Sequence, residues 1–149
     1  MKEIYNFLIR KKCPKCNYLF YMKVTTNEKK EYHNHLENRG LIQEYMPSFD
    51  VFGREFVNTG YCPDCQEIIF CRKLHDKSRY FSRENLRKQP IAHFEELKYQ
   101  NKMSGIDAIT SEFANDLNYF EKYVYLFETG LCKDYYVDEN ENTIKPIKH

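Results

Sequence analysis

The sequence predicts a small α+β protein, with sulfur-bearing turns between extended segments in its first half and helices in its second. Three observations carry this reading. Cys13-Pro14-Lys15-Cys16 and Cys62-Pro63-Asp64-Cys65 repeat one short pattern. Tyr18, Phe20, Met22 and Val24 alternate after the first pattern, as a strand with one covered face does. Ile106, Ile109, Phe113, Leu117, Phe120, Val124 and Phe127 recur at helical spacing and form a continuous apolar stripe.

Taken in order, Ile4 to Lys11 reads as a strand entering the first cysteine turn and Tyr18 to Thr25 as the strand leaving it. Thr26 to Glu31 reads as a charged turn or loop. Tyr32 to Glu44 has the pattern of a short helix interrupted at Gly40. Pro47 and Gly53 punctuate a loop. Glu55 to Tyr61 leads into the second cysteine turn, and Gln66 to Leu74 is expected to leave it as another strand. Ser82 is placed to cap a helix, and Pro90 to end it or to start the next. Apolar residues over Pro90 to Lys102 suit that second helix. Ile106 to Thr129 reads as the clearest helix, with Gly130 as its C-cap. The polar stretch from Asp138 to His149 is expected to fray.

The chemistry of the two turns follows from their spacing. Cysteines at i and i+3 of one turn aim both sulfurs at a common centre about 2.3 Å away, the Zn–S distance. The proline stiffens each turn before any ion arrives, so less entropy is lost on binding. Two such turns together make the tetrahedral cage of a structural zinc site, with Cys13, Cys16, Cys62 and Cys65 as ligands of one Zn²⁺. A redox Cys-x-x-Cys needs one copy and usually opens a helix, whereas both pairs here follow extended-looking segments. Met1 to Lys12 lacks the uninterrupted apolar core of a secretory signal, which points to a cytoplasmic, thiol-keeping setting. The residue after each pair often needs a left-handed backbone. Asn17 tolerates that, and Gln66 does so less readily, so the second turn is expected to be shaped differently. Cys71 and Cys132 are left over and read as small apolar core residues.

The resulting architecture is a four-cysteine zinc ribbon over residues 1–80, with an insertion over 26–55. A helical segment over 81–149 is expected to pack on it and to end in a polar frayed terminus. The two Cys-Pro-x-Cys motifs, and the Leu74-His75-Asp76 segment after them, resemble the CpXC-type zinc-ribbon family over about residues 8–80. That resemblance implies zinc binding and a ribbon fold, and no defined activity.

Charge bounds the partners. The chain of 149 residues has a formal net charge of +1, which argues against a polyanion binder by bulk charge. Residues 1–100 carry 18 Lys+Arg against 13 Asp+Glu, and residues 101–149 carry 5 against 9, so the front is mildly basic and the tail acidic. Basic and aromatic residues interleave at Arg72, Lys73, Lys77, Arg79, Tyr80, Arg83, Arg87 and Lys88. Cations can hold phosphates while rings stack on bases, and on a helix Arg79, Arg83 and Arg87 would share a face. The bland alternative is a solvated face paired to acids of the same chain. No stretch is long and apolar enough to span a bilayer.

A second resemblance concerns His33-Asn34-His35 followed by Arg39-Gly40-Leu41-Ile42. It is similar to zinc-stapled ββα-metal nucleases, which carry a histidine-rich strand between two Cys-x-x-Cys turns. By that likeness His33 would be the general base and His35 a ligand of a catalytic divalent ion. Tyr32 stands where an acidic residue is expected, and no Asn or His signature follows the second cysteine pair. His75-Asp76 is a poor dyad, because neighbours on a strand point apart. The favoured reading is a non-catalytic binding module that uses structural zinc and acts on a protein or nucleic-acid partner.

Overall fold

A computed structural model describes residues 4–38, 40–74 and 76–148. The chain forms two compact units, one of Leu8–Arg83 and one of Ile4–Phe7 together with the residues from Glu84 onward.

The first unit is built on a three-stranded sheet of order β1-β2-β3, with β1 at Phe7–Lys12, β2 at Leu19–Val24 and β3 at Tyr80–Ser82. β2 and β3 run antiparallel, pairing Phe20 with Ser82, Tyr21 with Phe81 and Met22 with Tyr80. The Tyr21 and Phe81 rings stack with centroids 4.9 Å apart, a cross-strand aromatic pair of the kind that pins register. Between β2 and β3 lie four helices: α1 at Thr26–Asn38, α2 at Ile42–Tyr45, α3 at Val51–Thr59 and α4 at Pro63–Phe70. Met22, Val24, Met46, Phe49 and Phe56 are buried, so the segment between the cysteine pairs supplies core as well as connection.

Two of these helices replace other expectations. The charged turn expected over Thr26 to Glu31 is the start of α1. The Glu28 amide donates to Thr25 Oγ1 at 3.3 Å, and the Thr25 amide donates to Glu28 Oε1 at 2.9 Å. This reciprocal box satisfies two donors that a helix start leaves orphaned. The extended approach expected over Glu55 to Tyr61 is mostly α3. It is capped by Asp50, which accepts from the Gly53 amide at 2.7 Å, and it ends at Gly60 with φ of 86°.

The strand expected over Gln66 to Leu74 is also corrected. Cys62 is the N-cap of α4, with Pro63 at its first position, where a proline's missing N–H costs nothing and its fixed φ suits the helix. The second cysteine pair therefore opens a helix and does not sit in a ribbon hairpin. Ile68 and Ile69 are exposed on this short helix.

The second unit holds α5 at Lys88–Gln100, α6 at Gly105–Ile109, α7 at Tyr119–Thr129, and an antiparallel hairpin of β4 (Tyr135–Asp138) and β5 (Thr143–Pro146). Ser82 ends β3 and does not cap a helix; a single 3₁₀ turn at Arg83–Asn85 follows. Pro90 begins a helix, within the first turn of α5. The continuous helix expected over Ile106 to Thr129 is broken into α6, a 3₁₀ turn at Glu112–Asp116, and α7. Each piece restarts on its own cap. Ser104 accepts from the Asp107 amide, Ser111 from the Phe113 amide, and Asn118 forms a capping box with Glu121. Capping side chains compete with continued helix for the same backbone donors. Gly130, at φ of 77°, ends α7 as expected. The tail expected to fray forms the β4–β5 hairpin, where Lys145 pairs with Asp138 and Glu141. The core of this unit gathers Phe94, Ile109, Leu117, Val124, Leu126 and Val137.

Candidate metal centre

Cys13, Cys16, Cys62 and Cys65 come together in the first unit, with all four Sγ atoms within 4.8 Å of one another. Cys13 directly follows β1, and the Cys13-to-Cys16 turn closes through an Asn17 amide donating to the Cys13 carbonyl at 2.9 Å. Asn17 takes the expected left-handed conformation, with φ of 65°. Gln66 instead lies inside α4, and so the two halves of the centre differ: a knuckle turn supplies one pair and the first turn of a helix the other.

Three features bring the halves together. The Cys62 amide donates to Cys13 Sγ at 3.4 Å, across 49 residues of sequence. The chain reaches that position by passing Gly60 against the first turn. A Cβ there would stand 3.1 Å from the Lys12 carbonyl oxygen, and the positive φ also favours glycine. Gln66 is 2% exposed and locks the approach to α4 from behind. Its side-chain amide donates to the carbonyls of Phe52 at 3.0 Å and Tyr61 at 2.8 Å. Phe20 and Tyr61 pack over the sulfurs.

The donor set fits a tetrahedral thiophilic ion. Thiolates at about 2.3 Å from zinc in tetrahedral array stand about 3.8 Å apart. Cys16 Sγ and Cys62 Sγ are 3.9 Å apart. A disulfide would need about 2.05 Å, and all six cysteines are free thiols. Cys13, Cys62 and Cys65 are buried and Cys16 partly so.

Electrostatics point the same way. Burial opposes ionisation of Cys13, but the backbone amides of Cys16, Cys62 and Lys15 outweigh it and lower that thiol to about 6. Burial pushes the Cys62 thiol up, and the negative charge of Cys13 and Cys16 adds to it. Cys65 is raised as well, again first by burial. The four sulfurs cannot all carry charge against one another. A divalent cation at their centre removes that repulsion and makes four thiolates the favoured state.

The other candidate residues do not gather. His33 and His35 lie on α1, two residues apart, so they project from different sides of the helix and not from a strand. Among the described residues, the four cysteines are the one group of metal-ligating side chains. Arg39 and His75 lie outside the described residues, and with them the Arg39-Gly40-Leu41-Ile42 and His75-Asp76 readings. Cys132 is buried as expected. Cys71 is not a core residue: it is exposed at the left-handed end of α4, with φ of 53°.

The basic-aromatic stretch is dispersed. Arg72 and Lys73 are exposed after α4. Lys77 pairs with Asp64 at 2.7 Å and with Glu67. Arg79 pairs with the buried Glu28 and donates to the Lys23 carbonyl at 2.8 Å. Tyr80 is 9% exposed in β3, and Arg83 begins the following 3₁₀ turn. Arg87 and Lys88 belong to the second unit, where Arg87 pairs with the fully buried carboxylate of Glu121 at 2.7 Å. Arg79, Arg83 and Arg87 do not share a helix face. The Glu28 and Glu121 carboxylates that hold two of them do carry a sequence signal, since Thr25-x-x-Glu28 and Asn118-x-x-Glu121 both have the capping-box spacing.

No protein-family profile, curated protein or solved structure matches this chain. No described helix is long and apolar enough to cross a membrane.

Proposed function

We propose that the chain is a non-catalytic binding module, held in its working shape by one structural Zn²⁺ on Cys13, Cys16, Cys62 and Cys65, and that it acts on a protein or nucleic-acid partner. The observation that carries the metal reading is the convergence of four sulfurs, three of them buried, from positions up to 52 residues apart. Four thiolates fill a tetrahedral ion, so no position is open for a catalytic water. The metal then does the work of a cross-link. It ties the end of β1 to the start of α4 and fixes the ends of the segment that carries α1, α2 and α3. The likeness to CpXC-type proteins supports the same four ligands, and the helix after Cys62 is where this chain departs from a ribbon.

Elemental analysis of the purified chain tests the proposal, paired with thermal melting before and after chelation. One zinc per chain, with a lower melting temperature on its removal, supports the reading. Iron in its place, with the visible absorbance of iron–thiolate, would make the centre a redox one.

A further inference from the structure

Three exposed cations surround the first cysteine turn. β1 is an edge strand of its sheet, and Arg10 and Lys12 are both exposed on it. Two residues apart on a strand, they lie on one side of it, about 6.7 Å from each other. Lys15 is exposed in the turn itself. Tyr18, just past the turn, is 53% exposed. The Cys13 amide donates to the Tyr18 carbonyl at 2.9 Å, which sets Tyr18 across from Cys13 and beside the end of β1.

No Asp or Glu occurs between Ile4 and Asn27. Among the described residues, no acid pairs with Arg10, Lys12 or Lys15. The contrast with the later basic stretch is direct, because Lys77, Arg79 and Arg87 are each held by carboxylates of the same chain. Asp64 and Glu67, the acids of α4, are themselves paired with Lys77. Arg72, Lys73, Arg83 and Lys88 are exposed as well, but Tyr80 and Phe81, the rings inside that stretch, are buried, whereas the first cysteine turn sets its cations beside the half-exposed ring of Tyr18.

We propose that this turn binds single-stranded nucleic acid, with Arg10, Lys12 and Lys15 on phosphates and Tyr18 stacked on a base. The proposal rests on the metal-held reading above, since the ion fixes the turn that presents these side chains. Charged residues also blunt edge strands, and cations near four thiolates offset their net negative charge. Neither role calls for an aromatic ring left half in solvent among the cations. Stacking does, and it tolerates any base.

The test is fluorescence anisotropy of the zinc-loaded full chain with a labelled oligothymidylate of about 15 nucleotides, over about 50 to 200 mM salt. Affinity should fall as salt rises. An Arg10→Gln/Lys12→Gln/Lys15→Gln variant should lower the log–log salt slope by about 2, at about 0.7 for each phosphate no longer neutralised. Tyr18→Ala should weaken binding about tenfold and leave the slope unchanged. Arg72→Gln/Lys73→Gln should bind as the parent does. A zinc-loaded chain that ignores the oligonucleotide overturns this proposal and leaves the metal reading intact. Competition by polyglutamate as strong as by unlabelled oligonucleotide, with Tyr18→Ala inert, would also overturn it and would point to an acidic protein partner. Loss of zinc from the triple variant would overturn it too, by assigning the cations to the metal centre. A parent chain without metal would remove the basis of both proposals.

Discussion

The Cys62 amide donates to Cys13 Sγ at 3.4 Å, joining the start of α4 to the end of β1. This bond, together with the other amides that lower the Cys13 thiol, favours the thiolate of Cys13, while burial pushes Cys62 and Cys65 the other way. Two cysteine pairs 46 residues apart in sequence thereby become one cluster that could hold a metal ion. The consequences can be tested one at a time.

Replacing a ligand should abolish the centre, while replacing a bystander should not. On the proposed reading, Cys13→Ser or Cys65→Ser is expected to lose the metal and to melt well below the parent, because the binding energy of a metal held there would be folding energy. Cys71→Ser should keep the metal and the melting temperature, since Cys71 is exposed and outside the cluster. Elemental analysis and circular dichroism on the three variants decide this.

Gly60 carries the close approach. With φ of 86° and the Lys12 carbonyl 3.1 Å from a would-be Cβ, Gly60→Ala should cost about 1–3 kcal/mol and weaken metal retention. Chelator competition and denaturant melts measure the two effects separately. Gly130 has a similar φ but no atoms within 4 Å of the same position, so Gly130→Ala should cost less and leave the metal untouched.

Gln66 is the buried brace of the α4 approach. Gln66→Leu removes both of its donated bonds, to the carbonyls of Phe52 and Tyr61. A loss of about 1–3 kcal/mol is expected in a denaturant melt. Gln66→Glu should be worse near neutral pH, because it places a charge at a position 2% exposed beside carbonyl oxygens.

Glu121 anchors the second unit. Its carboxylate accepts from the Asn118 amide at 2.8 Å, from the Arg87 amide at 2.8 Å and from the Arg87 guanidinium. Glu121→Ala should cost about 2–4 kcal/mol, since it leaves the Asn118 and Arg87 amides at two helix starts without their acceptor. Arg87→Ala should cost less, because that side chain is about half exposed. Thermal melts of the two variants give the order.

The tail hairpin has its own acid limb. Lys145 beside Asp138 holds the Asp138 carboxyl below its ordinary value of 3.8. A depressed carboxylate contributes stability that is present above its unfolded value and is lost as pH falls through the folded one. The β4–β5 amides should therefore lose exchange protection on acidification below about pH 4, and Asp138→Asn should flatten that dependence.

Much of the site was legible and less of the fold. The cysteine spacing picks out the ligands, Asn17 takes the left-handed turn that its position suggests, and Gly130 ends its helix. The second cysteine pair reads as part of a hairpin because an extended-looking segment precedes it, while Pro63 at a helix start carries the stronger local constraint. The apolar stripe over 106–129 is real, but periodicity is blind to the caps at Ser104, Ser111 and Asn118 that cut it into pieces. The basic stretch misleads for a different reason. Spacing along the chain says nothing of carboxylates brought in from elsewhere, and Glu28 and Glu121 arrive from 51 and 34 residues away.

The most direct test of the account is a count of reactive thiols on the native chain, by alkylation and mass spectrometry, with zinc measured on the same sample. The account predicts one zinc per chain, ready alkylation of exposed Cys71, and protection of Cys13, Cys16, Cys62 and Cys65 until a strong chelator is added. A chain without metal whose four clustered cysteines react freely, or which joins them in disulfides, would contradict it.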